Sequence, residues 1–206
     1  MTINLNSVKT ARGYHHGDLR SALLAAAEGL LAERGVEGFS LRETARRAGV
    51  SPAAPKHHFR DTRALLTAIA TLAFEDLAAR LQAASSDAGI DRSLRIRAQG
   101  KAYVRFAVDQ RARFDLMWRV PLLEAADEGY CRAGDQAFAA LDSLVRGENA
   151  EPLEHGDPRL APSIACWSTV HGFARLALDG TFGLEEDDIA RAIDQLLPEV
   201  LGHLSL

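Results

Sequence analysis

Cysteine is scarce: Cys131 and Cys166 are the two thiols in 206 residues, far apart and outside any C-x-x-C pair. That excludes a disulfide-stapled scaffold, reads as two buried thiols, and points to a reducing cytoplasm. Nowhere do about 18 apolar residues run together, so no membrane-spanning helix is expected. The opening MTINLNSVKTARGYHHG carries no apolar stretch of the kind that marks a secretory signal, and residues 1–15 read as a flexible basic arm. Alternating strand patterns, internal repeats, and the H-E-x-x-H, G-x-S-x-G, P-loop and dinucleotide fingerprints are all missing. Two His-His pairs occur, at 15–16 and 57–58. Adjacent histidines on a helix point about 100° apart, and no Cys or carboxylate cluster stands at ligand spacing, so neither a metal nor a cofactor is expected. The chain is read as helical and non-enzymatic.

What the sequence does contain is helical periodicity. Leu19, Leu23, Ala26, Ala27, Leu30 and Leu31 recur at three- and four-residue spacing and predict a first helix over about 18–34, ending before Gly35. Asp61 is positioned to cap a long helix carrying Leu65, Leu66, Ile69, Ala73, Phe74 and Leu77, which SSDAG breaks at about 84. Further helices are expected at about 91–109, 111–119, 122–146, 160–179 and 186–203, punctuated by Pro121, the stretch 147–158, Gly180 and Gly183. The fold class that results is all-α, with about nine helices.

Phe39 to Phe59, FSLRETARRAGVSPAAPKHHF, is the most informative segment. Ser40 and Glu43 form an S-x-x-E capping box that starts a helix at Leu41. Ala45 and Ala48 are small enough to let another helix cross closely, and Gly49 supplies the left-handed residue that ends the first one. Ser51 is expected to cap a second helix with Pro52 at its first position. This is the layout of a helix-turn-helix, whose second helix enters the DNA major groove. The competing reading is an ordinary corner of an all-α protein. Charge favours DNA: residues 1–65 hold ten Lys or Arg against six acids, whereas the remainder holds 14 against 22. The phosphate-seeking surface therefore coincides with the helix-turn-helix.

Residues 16–70, with RETARRAGVSPAAPKHHFRDTRALLTAIA at their centre, resemble the N-terminal DNA-binding domain of TetR-type transcriptional regulators. The shared features are V-x-G-F-S-L, A-x-x-A-G-V-S in the turn, H-H-F leaving it, and A-L-L opening the fourth helix. Trp167, His171 and Gly172 in WSTVHGFARLAL resemble the Trp-x-x-x-His-Gly signature of a WHG-type C-terminal domain, and RFDLMW at 113–118 is similar to a segment upstream of it. The resemblance implies a flexible arm (1–15), a three-helix DNA-binding head (16–62), and a helical ligand-binding and dimerisation body (63–206) joined to it by the long fourth helix. It also implies a homodimer that binds palindromic double-stranded operator DNA in the cytoplasm, represses transcription, and is released by a small-molecule effector. The alternative is a small-molecule-binding or enzymatic helical protein on this scaffold, with lost or altered DNA binding.

Candidate DNA contacts are Ser51, Ala53, Ala54, Lys56 and His57 in the reading helix, with Arg42, Thr44 and Arg46 on the supporting one. Arg20, and Tyr14, His15 and His16 before it, are placed to reach phosphates, as are Thr62 and Arg63. Three positions depart from the family pattern: Lys56 where a Tyr is usual, Thr62–Arg63 where Lys and an acid are common, and Pro55 inside the reading helix. Tyr103, Phe106, Phe114, Met117, Trp118, Trp167 and His171 are the candidate ligand-binding residues, with ordinary helix packing as the alternative for most. The last two helices, about 160–203, are the expected dimer surface, against a monomer that buries both faces internally.

Overall fold

The computed structural model describes residues 16–183 and 185–204, with side chains from Leu19 onward. The expected basic arm, with Tyr14, His15 and the His16 side chain, lies outside the described residues. Every described element is helical: α1 (His16–Arg34), α2 (Leu41–Arg47), α3 (Thr62–Asp87), α4 (Arg92–Asp109), α5 (Arg111–Met117), α6 (Glu128–Arg146), α7 (Ala161–Leu178), α8 (Glu186–Arg191) and α9 (Leu197–Gly202). A π turn at Ala192–Leu196 joins α8 to α9 in one continuous rod.

Short-range chemistry accounts for most boundaries. Aspartates accept a backbone N–H at the first turn of three helices: Asp61 from Ala64 at 2.9 Å, Asp91 from Leu94 at 2.8 Å, and Asp127 from Tyr130 at 2.9 Å. Gly35 ends α1 with a φ of 65°. The helix expected from residue 122 begins six residues later, because Asp127 caps it. Pro121 instead opens a 3-10 turn at Val120–Leu122.

The 26 residues of α3 span about 39 Å and are buried on most sides, from Leu65 to Leu81. Helices α4, α5 and α6 pack around it, while α1 packs on α5 and α3 and carries α2 on its own surface. On α6, Ala133, Ala137, Leu141, Leu144 and Val145 form the buried stripe that meets α3. The guanidinium of Arg92 donates to the terminal carbonyls of Leu144 and Val145, closing the C-terminal end of α6. Helices α7 and α9 cover α4, and Gly100 of α4 permits that contact: an added Cβ would stand 2.7 Å from Leu201 and 3.4 Å from Val170.

Candidate nucleic-acid interface and effector cavity

The head is built around α2. Ser40 accepts from the N–H of Glu43 at 3.5 Å, while Glu43, instead of closing the capping box, holds Arg46 through two hydrogen bonds at 2.7 and 2.8 Å. That grip lowers the Glu43 carboxyl to about 2. The helix ends in a Schellman arrangement: Val50 N–H donates to Ala45 at 3.0 Å, Gly49 N–H to Arg46 at 3.1 Å, and Gly49 takes a φ of 71°.

The second helix of the expected pair is not an α-helix. Residues Ala54–His57 form one 3-10 turn, with Ala53 at its cap position and no side-chain hydrogen bond there, so Ser51 does not cap it. Pro55 is the cause. It has no N–H to donate to the carbonyl of Ser51 four residues back, and its ring crowds that carbonyl. Ala54 N–H takes the Ser51 carbonyl at 3.0 Å, and Lys56 N–H takes Ala53 at 3.2 Å, which tightens the chain to three-residue spacing. Pro55 and Phe59 are buried, and the segment presents Ser51, Pro52, Ala53, Lys56 and His57 to solvent, with Ala54 half-buried.

The candidate contacts fall into three groups. Arg20, Arg42, Lys56 and His57 are exposed and pair with no acid among the described residues; the Arg20 guanidinium lies over the Phe59 ring at 5.3 Å. Arg46 is exposed but matched by Glu43. Thr44 is overturned as a contact. It is fully buried, and its hydroxyl donates to the Ser40 carbonyl at 3.0 Å. Thr62 is half-buried in the first turn of α3, whereas Arg63 points to the body, donating to the Leu123 carbonyl at 2.5 Å.

Arg63 is part of a junction between head and body. Arg60 pairs with Glu124, the Glu124 N–H donates to Thr67 at 2.8 Å, and Arg119 meets Glu37 at 3.2 Å. Arg119, Leu123 and Glu124 all lie on the loop that follows Trp118.

In the body, most of the expected ligand-lining residues fill the interior. Tyr103, Phe106, Phe114 and Met117 are buried to 1% exposure or less, and the void beside Tyr103 measures about 10 Å3, no more than a single water needs. They pack as core, because helices α4 and α5 close on α3 and α7 around them. The Tyr103 hydroxyl and His171 Nδ1 lie 2.8 Å apart. Burial raises the tyrosine, and burial followed by the Arg175 charge lowers the histidine, so both are neutral, and the histidine tautomer sets which of the two donates. His171 sits 4.9 Å from the Trp118 ring. Cys166 is buried, and burial pushes its thiol up to about 11, the opposite of an activated nucleophile.

Open space lies beside the two tryptophans. A cavity of about 520 Å3 between α6 and α7 is lined by Phe74, Trp118, Phe138, Trp167, Ile164 and Leu160, with Asp135, His155 and Asp157 also on its wall. Only Trp118 and Trp167 among the seven candidates face it. Another cleft, between α1 and α5, holds about 590 Å3 but carries the Glu28–Arg113 ion pair and no aromatic ring.

The family model for bacterial regulatory proteins of the tetR family matches residues 23–69, and the model for the tetracyclin repressor-like C-terminal domain matches residues 96–200, just over half of the chain. The chain belongs to the TetR family. It is a DNA-binding regulator and not an enzyme. A solved protein of unknown function from Rhodococcus sp. RHA1 is 35% identical over 95% of this chain and 100% of its own, with a TM-score of 0.76. The TetR family regulator PfmR from Thermus thermophilus is 23% identical over 86% of this chain and 97% of its own, with a TM-score of 0.62. A TetR family regulator from Marinobacter aquaeolei VT8 is 19% identical over 89% and 95%, also at 0.62. No curated protein matches the sequence.

In this member of the TetR family, sequence reasoning missed Phe138, Asp135 and His155 around the cavity, and Leu123 and Glu124 at the junction. Positions 134, 135 and 138 share one face of a helical pattern, which was the available signal. Nothing local indicates that the 155–158 loop folds back over α6. No helix among the described residues is long and apolar enough to cross a membrane.

Proposed function

We propose that the protein is a dimeric repressor that grips palindromic operator DNA through paired heads (residues 16–62) and lets go when a small molecule enters the cavity of its body (63–206). The observation that carries this reading is the continuity of the loop after Trp118. Trp118 lines the cavity, and within six residues the same segment holds Arg60, Arg63 and Thr67 at the root of the head. A ligand that moves Trp118 therefore acts on the residues that set the head against α3. Linkage then requires that ligand and operator oppose one another by the same factor.

Arg20, Arg42 and Lys56 supply the phosphate contacts, with Ala53, Ala54 and His57 toward the groove. Two heads must stand about 34–36 Å apart to reach successive major grooves. The partner surface is the outer side of α7 with the α8–α9 rod. Ile164, Leu176 and Leu196 remain 45–49% exposed there, and a Cβ on Gly172 would meet nothing. Val170, Ile193, Leu197 and Leu201 face inward, so only alternate apolar residues of these helices are offered to a second copy.

The test is a fluorescence-anisotropy titration on the gene's own upstream DNA against a scrambled duplex. The wild-type chain should prefer the former, and Lys56→Glu with Arg42→Glu should lower affinity at least about a hundredfold, consistent with losing two phosphate contacts and adding two repulsions. The shortened 3-10 turn favours a second reading, a ligand-binding TetR scaffold that has lost its operator. A wild-type chain that does not discriminate between the two duplexes establishes that reading and ends the first.

A further inference from the structure

We propose that the cavity beside Trp118 and Trp167 selects an organic cation with a bulky, ring-bearing body. The ligand class rests on the reading of this cavity as the effector site, and deepens it. Four aromatic rings line the space. Phe74 and Trp118 meet at 5.3 Å and 84°, Trp118 and Trp167 at 6.2 Å and 78°, and Phe138 and Trp167 at 5.6 Å and 57°. These are steep contacts, so the rings form angled walls instead of a closed stack. A volume of about 520 Å3 is within the range of about 300–1,000 Å3 that small-molecule sites occupy.

Charge decides between ligands of equal shape. Among the described residues, no Lys or Arg lines the cavity; its ionisable groups are Asp135, Asp157 and His155. Asp157 is already neutralised. It pairs with Arg159 at 2.7 Å and accepts the Arg159 N–H at 2.9 Å. Asp135 is different. It is 62% exposed, and its partner among the described residues is Nε2 of His155 at 3.5 Å, a ring that carries charge only when protonated. A carboxylate or phosphate entering this space meets Asp135 and the negative ring faces with no lining cation to receive it. A cation meets attraction from both, through the carboxylate charge and the ring quadrupoles.

The chain contains two tryptophans, and both line this cavity. Intrinsic fluorescence therefore reads occupancy directly. Tetraphenylphosphonium and tetraphenylborate are near-isosteric ions of opposite charge and serve as the probes. The cation should quench saturably and bind at least about tenfold tighter than the anion, as expected of one carboxylate plus cation–π contacts. Asp135→Asn should shrink that gap to within about threefold with an unchanged melting temperature, since the side chain is exposed. Phe138→Ala should weaken both ions. Equal or tighter binding of the borate overturns the proposal, and so does a cation preference that survives Asp135→Asn intact. Operator affinity is measured separately on the same samples. Tight cation binding that leaves operator affinity unchanged supports the ligand class and sinks the effector reading, whereas operator release by the borate with no binding of the phosphonium does the reverse.

Discussion

Pro55 shows how one residue reshapes an element that its neighbours were set to form. Ser51, Pro52 and the alanines all suit a helix start, yet one missing N–H removes the first four-residue bond and the turn tightens to 3-10. His171 shows the converse, a residue whose sequence position is informative but whose chemistry comes from its surroundings. Desolvation, then the Arg175 charge, lowers its pKa below the ordinary 6.5. The unfolded chain thus takes up this proton at higher pH than the folded one, so the stability tied to neutral His171 is full above about pH 6.5 and is lost as pH falls below it. Thermal melts should show the wild-type midpoint dropping more steeply than that of His171→Gln between about pH 7.5 and 5. Parallel curves would remove His171 from the account.

At the scale of elements, the boundaries of α1, α3, α4, α5, α7 and the C-terminal rod lie within about three residues of their sequence expectation, the accuracy that periodicity permits. Caps explain this, since an Asp side chain bonding an N–H three residues on is chemistry contained in four residues. The segment 118–127 escaped the same treatment. Its Glu124 is held by Thr67 and Arg60, more than fifty positions away, and no local pattern encodes that. Arg60 is thereby matched by Glu124, and it also touches Asp61 at 3.3 Å. Glu124→Gln should free it, raising DNA affinity about threefold at low salt and steepening the slope of log affinity against log salt by about one. Anisotropy titrations across a salt series check this, and an unchanged slope would assign Arg60 a purely structural part.

For the whole molecule, the exposed apolar side of α7 and α9 and the mouth of the cavity share Ile164. A partner seated on that side would therefore touch the wall of the proposed effector cavity, which would bring dimer geometry and effector into one linkage. Leu176→Glu introduces a charge at the centre of this side, away from the cavity. Sedimentation should shift from dimer to monomer, and operator affinity should fall by about a hundredfold or more, because two linked heads bind far more tightly than one. A Leu176→Glu protein that sediments as the wild type would place the interface elsewhere.

Most helix positions, the Gly49 turn, the aspartate cap of α3 and the basic character of the first third depend on interactions within a few residues or on composition, and the linear chain carries them. Which aromatics become core and which line open space depends on how α3, α4, α5, α6 and α7 converge. Tyr103 and Trp167 look alike in a helical pattern, yet one is sealed and the other borders the cavity. The same holds for Thr44 and Arg42 on one short helix, and for Arg63, whose partner is a carbonyl sixty positions on. Burial and long-range pairing are properties of surfaces that meet only after collapse, so tertiary structure alone assigns them.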